Sequence, residues 1–156
     1  MKQFIIVLKE NSISIDAATR CRQSTKLPLV VFDAYEPKDV QKKMESEKLQ
    51  WTYPWDSPKH DFASGLYLTP YSTLQRDARI ACFLSHYELW KKCVKDDEPY
   101  LILEHDAIFT RHLETDEIIK ANYDIIGIND PRGATRKSLS YHEQIQHRSQ
   151  SIQPVP

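Results

Sequence analysis

Glycine is nearly absent: Gly65, Gly127 and Gly133 are the three in a chain of 156 residues. Neither a G-x-G-x-x-G turn nor a G-x-x-x-x-G-K-[ST] loop can be built from them, which weakens the dehydrogenase and kinase readings. A nucleotide bound here would need another partner for its phosphates, and a divalent metal is the obvious one. Cysteine is scarce too. Cys21, Cys82 and Cys93 cannot all pair within the chain and form no C-x-x-C, so a reduced, cytoplasmic setting is expected. Cys82 and Cys93 fall near one side of a predicted helix and read as small core or shoulder residues. Long apolar runs are missing as well. Phe4-Ile5-Ile6-Val7-Leu8 stops at Lys9, too short for a signal-peptide core or a membrane span, so no transmembrane segment is expected. Nor is there an excess of positive charge. The formal net charge of -1 argues against a general nucleic-acid binder, which needs a basic face to meet phosphates.

What is present suits one soluble domain: 40% hydrophobic residues for a core and 28% charged residues for a surface. Residues 3–8 and Leu29-Val30-Val31-Phe32 read as short buried strands. A helix is predicted over 14–25 with Ser14 as N-cap, and a polar helix over 38–48 after Pro37. Residues 49–71 mix Trp51, Tyr53, Trp55, Phe62, Tyr67 and Tyr71 with Pro54, Pro58 and Pro70, and read as a long irregular loop, uncommon unless functional. Its aromatics suit either stacking on a sugar or base, or anchoring to the core. Ser72 and Gln75 have capping-box spacing. After them Ile80, Phe83, Leu84, Tyr87, Trp90 and Val94 recur at helical spacing. Tyr100-Leu101-Ile102-Leu103 is an apolar strand running into Glu104-His105-Asp106. A helix around 113–121 and a strand over 123–128 complete the order. Strands alternating with helices predict a mainly parallel α/β sheet with helices on both faces. Residues 129–156 are polar and end Pro154-Val155-Pro156; they read as a tail or as the start of a shortened acceptor-side region. The expected division is therefore a nucleotide-sugar-binding α/β domain over 1–128 and this region after it.

Ligands of open α/β sheets bind beyond the carboxyl ends of the strands. Asp33, the pair Glu104 and Asp106, and Asn129 with Asp130 stand at such ends. The E-x-D arrangement is the sharpest signal. Two carboxylates two residues apart, leaving a buried strand, can hold Mg²⁺ or Mn²⁺, which favour oxygen ligands and share them with substrate phosphates. His105 points to the other face of a regular strand, and only a turn would bring its imidazole round as a further ligand. Acids after strands are also ordinary turn residues.

Ala81-Cys82-Phe83-Leu84-Ser85-His86-Tyr87-Glu88-Leu89-Trp90, followed by Pro99-Tyr100-Leu101-Ile102-Leu103-Glu104-His105-Asp106-Ala107, resembles the family 25 glycosyltransferases. That family includes lipopolysaccharide and lipooligosaccharide galactosyltransferases. Its pattern is a G-C-F-L-S-H helix with a tryptophan one turn on, then an apolar strand ending L-E-D-D. The likeness covers roughly residues 3–128. Two departures stand out: His105 replaces the middle acid, and the family usually runs well past this length.

The resemblance implies a GT-A-type, Rossmann-like sheet, here in shortened form. It implies inverting transfer of a sugar, a galactose-like hexose, from a UDP-sugar to a glycan or other hydroxyl acceptor. It places Arg20, Asp33 and His86 on the donor side, with Glu104 and Asp106 holding Mn²⁺ or Mg²⁺ against the diphosphate. An inverting transfer also needs a base for the acceptor proton, and the motifs name none. Bottom-up, His86 reads first as a half-buried structural histidine; the resemblance brings a role beside the site to equal weight. Two rival classes stand beside this reading: a non-catalytic nucleotide-sugar-binding or interaction module, and, more weakly, a metal-dependent hydrolase.

Overall fold

The first strand, β1 (Lys2–Val7), forms where the chain is continuously apolar and β-branched. In the computed structural model, which describes residues 1–120 and 123–128, β1 is the middle of a three-stranded parallel sheet. Helix α1 (Ser12–Gln23) follows it, then β2 (Val30–Asp33) and a 3-10 turn (Pro37–Asp39) that runs into α2 (Val40–Ser46). A hairpin of β3 (Lys59–Asp61) and β4 (Leu66–Leu68) comes next, then the long α3 (Arg76–Asp96), β5 (Tyr100–Glu104) and the short α4 (Thr115–Lys120). The chain divides into two units after His112. The first unit contains both sheets and helices α1 to α3.

The sheet order is β2-β1-β5. The crossover from β1 steps one way to β2, and the next steps back across β1 to β5. Right-handed crossovers therefore put α1 on one face and α2 with α3 on the other. Accordingly, α1 lies against β1 and α3 against β5. The expected parallel sheet flanked by helices is what the chain forms. On the α1 face Ile5, Val7, Leu101 and Leu103 are buried with Ala17, Ala18 and Cys21. β2 is an edge strand, and Val30 and Val31 stay exposed there.

Local signals resolve differently from expectation at several points. Asn11, not Ser14, caps α1: its Oδ1 accepts from the Ser14 backbone N–H at 3.1 Å. Ser14 is buried one turn in, and its Oγ accepts from Leu8 N–H at 3.0 Å, tying the helix to the end of β1. The Ser72–Gln75 capping box does not form. α3 starts at Arg76, and Ser72 Oγ instead donates to the Trp55 carbonyl. The buried face of α3 is Ile80, Ala81, Leu84, Ser85 and Leu89. Trp90 and Val94, expected on that face, are exposed.

The segment 49–71 is not wholly irregular. Its middle folds into the β3–β4 hairpin, turned at Gly65, whose φ of +71° is one a side chain rarely adopts. Its flanks anchor to α3. Trp51 stacks on Trp55 at 5.2 Å between ring centroids and meets Phe83 edge-on at 5.8 Å. Both tryptophans pack on the core of Val40, Ile80, Ala81 and Leu84. Arg76 binds Asp56 through both carboxylate oxygens and covers the Trp55 ring.

Residues 123–128 form no strand. An apolar run becomes a strand only with a ladder partner, and the parallel sheet holds β2, β1 and β5. Ile125 is 85% exposed rather than buried. Asn129 and Asp130 lie outside the described residues.

Candidate functional site

The carboxyl ends of the three parallel strands meet at one edge. In register, Asp33 lies opposite Val7 and Glu104 opposite Ile6, so both acids flank the end of β1. Asp33 is half exposed and ion-paired to Lys9 Nζ. Arg20 is not brought to this edge. It is exposed in the last turn of α1, and a helix leaving the carboxyl end of β1 to start a parallel strand ends at the opposite edge.

His86 does reach Glu104. It precedes the end of α3 at Asp96 by about 15 Å of helix at 1.5 Å per residue. Glu104 follows the start of β5 at Tyr100 by about 13 Å of strand. Helix and strand run antiparallel through a short link, so the two residues stand at the same height. His86 Nε2 lies 3.2 Å from Glu104 Oε1, and Cys82 Sγ, one turn earlier, lies 3.8 Å from the same oxygen. The side chains are 25% and 54% exposed for His86 and Glu104. His86 also leans on the Trp90 ring at 6.1 Å.

The electrostatics follow from this contact. The Cys82 side chain and then the Glu104 carboxylate favour the imidazolium, and together they push His86 up to about 9 against the cost of burial. His86 in turn holds the Glu104 carboxyl below its usual range, offsetting desolvation. At neutral pH the pair is charged on both sides.

Glu104 and Asp106 take different surroundings. After Glu104 the chain turns, with Ala107 N–H donating to the Glu104 carbonyl at 3.1 Å, and Phe109 N–H then reaches Ser24 Oγ at 3.0 Å beyond the end of α1. Asp106 lies inside this turn, and its charge helps to push up the buried Cys21 thiol of α1, behind the larger effect of burial. Among the described residues, the three metal-capable side chains that converge are Cys82, His86 and Glu104. Cys82 was missed as a site residue. Its signal was the four-residue spacing to His86, which puts both on one helix face.

No helix among the described residues is long and apolar enough to cross a membrane. No curated protein and no solved structure matches the chain. The family model for "Glycosyltransferase family 25 (LPS biosynthesis protein)" matches residues 1–130. That span covers both motifs, the three parallel strands and the contact between His86 and Glu104, and on it the chain belongs to glycosyltransferase family 25.

Proposed function

We propose that this chain binds a UDP-sugar, a UDP-hexose of the galactose type, at the carboxyl edge of its parallel sheet and takes part in its transfer to a glycan or other hydroxyl acceptor in the cytoplasm. Mn²⁺ or Mg²⁺ would be held there by Glu104 and Asp106 and would neutralise the diphosphate as it leaves. The observation that carries the reading is the position of Glu104. It ends β5 beside the end of β1, half exposed and kept ionised by His86, where parallel α/β sheets bind their ligands. Its Oε1 faces His86, which fixes the carboxylate and leaves Oε2 for a cation. Asp106 would join it by a rearrangement of the 104–107 turn. Asp33, on the other flank of β1, suits the donor's nucleoside side.

With no glycine-rich cradle in the chain, the metal must carry the diphosphate. UDP should therefore raise the melting temperature in the presence of Mn²⁺ and do so far less in EDTA. Equal stabilisation in both conditions would overturn the metal part of the reading. Release of free UDP only when a hydroxyl acceptor is present would separate transfer from hydrolysis.

A further inference from the structure

We propose that Cys82, His86 and Glu104 form a binding site for Zn²⁺, distinct from the Mn²⁺ or Mg²⁺ of the donor diphosphate but sharing Glu104 with it, zinc on Oε1 and the donor's cation on Oε2. The ligand atoms come from two rigid elements. Cys82 and His86 sit one turn apart on α3, the spacing by which a helix offers two ligands to one ion. Glu104 is fixed at the end of β5.

The three donor atoms converge on a point instead of forming a relay. They all lie within 4.8 Å of one another. Zinc with bonds of about 2.0 Å to oxygen and nitrogen and about 2.3 Å to sulfur sets tetrahedral edges of about 3.3 Å for N···O and about 3.5 Å for S···O. The observed N···O and S···O separations are 3.2 and 3.8 Å. Those two edges are near the tetrahedral ones; the third, between sulfur and nitrogen, lies within 4.8 Å and closes to about 3.5 Å when Cys82 or His86 rotates onto the ion. A relay would instead set the imidazole between thiol and carboxylate, each on its own ring nitrogen. Here one carboxylate oxygen faces both partners.

The donor set also selects the ion. A thiolate and an imidazole suit zinc, whereas Mg²⁺ and Mn²⁺ prefer oxygen ligands and water. Cys82 binds as the thiolate and His86 as the neutral imidazole, so each releases a proton when the ion binds. Glu104 is half exposed, so the fourth position opens to solvent and takes a water. Such an ion would clip the middle of α3 to the end of β5 and stabilise the fold by mass action.

The test uses the full chain without nucleotide, with Co²⁺ as a spectroscopic stand-in and Zn²⁺ as competitor. One equivalent of Co²⁺ should give a sulfur-to-cobalt charge-transfer band that Zn²⁺ bleaches and a large excess of Mg²⁺ does not. Cys82→Ser should abolish the band. His86→Gln should weaken zinc binding by more than the roughly 10–100-fold that loss of a supporting hydrogen bond costs. Asp106→Asn should keep the band while losing Mn²⁺-dependent stabilisation by UDP, so failure of the donor's cation site is distinguishable from failure of the zinc site. Circular dichroism of each variant separates loss of a ligand from loss of fold. No band with folded wild-type protein, or a band that survives in folded Cys82→Ser, would overturn the proposal.

Discussion

Asp33 and Glu104 end the strands on either side of β1, but one residue apart in register, opposite Val7 and Ile6 respectively. Side chains alternate along a strand, so the two carboxylates leave opposite faces of the sheet. Glu104 faces α3 and His86; Asp33 pairs with Lys9. They cannot hold one cation between them.

The two acids should therefore fail differently. Glu104→Gln should remove most of the gain in UDP affinity that Mn²⁺ gives, leaving metal-free affinity unchanged. Asp33→Asn should lower UDP affinity by a similar factor with and without Mn²⁺. Calorimetric titrations of both variants in Mn²⁺ and in EDTA decide this. A loss of metal dependence in Asp33→Asn would contradict the placement of the metal on Glu104.

Asp106 carries the second half of the metal hypothesis. Asp106→Asn keeps the shape of the turn but offers a neutral carbonyl oxygen in place of a charged one, a weaker ligand for a hard ion. Stability without ligand should change by less than about 0.5 kcal/mol, as for other exposed turn positions. Stabilisation by UDP with Mn²⁺ should nearly vanish. His105→Asp, which restores the family's usual acid, should be tolerated and should tighten Mn²⁺ binding. If Asp106→Asn melts like wild type in the presence of UDP and Mn²⁺, Asp106 is only a solvated turn residue.

The parallel sheet was legible because continuous apolar runs such as Phe4–Val7 and Leu101–Leu103 demand burial on both faces. The hairpin was not. Lys59-His60-Asp61 has no β pattern, and its three-residue strand exists through pairing with Leu66–Leu68. The opposite error fell on residues 123–128, whose isoleucines look like a core strand and yet have no strand pairing. Helix starts were misread for a similar reason. Asn11 and Ser14 both suit a cap, and Ser14 was drawn away because its hydroxyl reaches Leu8 N–H. At the site, Glu104 and His86 were both visible as candidates. Their contact was not, because it joins the middle of one element to the end of the next. Cys82 was read as a small core or shoulder residue because its partner is 22 residues away in sequence.

The link between α2 and α3 gives a pH signature. Glu47 Oε1 accepts from Lys91 Nζ at 2.7 Å and from Lys43 Nζ at 3.0 Å, and Glu88 binds Lys43 at 2.8 Å. Lys91 first, then Lys43, holds the Glu47 carboxyl below its usual range. A depressed carboxyl contributes stability above its unfolded value of about 4.3 and loses it as pH falls through the folded value. Wild type should therefore be more stable than Lys91→Met at pH 7, and the gap should narrow toward about pH 3 and in high salt. Urea melts at both pH values would show it. A gap unchanged by pH would mean that Lys91 acts through its contact with the Tyr87 ring and not through Glu47.

Ser85 should prove the most stability-sensitive polar side chain near the site. It is 1% exposed. Its Oγ donates to the Ala81 carbonyl and accepts from Tyr35 N–H, both at 2.9 Å. The second bond ties α3 to the chain just past Asp33, and no other hydrogen-bond partner of that N–H is found among the described residues. Ser85→Ala leaves the donor unpaired at a half-buried position, which costs about 1–3 kcal/mol. Alanine's better helix propensity returns a few tenths of a kcal/mol, roughly. Thr19→Ala is the control. Thr19 Oγ1 also bonds back one turn, to the Ile15 carbonyl at 2.9 Å, but on an exposed face with no second partner among the described residues. It gains the same propensity and loses no buried contact, so its stability should stay within about 0.5 kcal/mol of wild type. Denaturant unfolding of the two variants isolates the Tyr35 bond. Ser85→Ala should lower the midpoint with an unchanged slope, and amide exchange at Tyr35 should accelerate. If Ser85→Ala and Thr19→Ala unfold alike, the bond from Tyr35 to α3 contributes nothing net to stability.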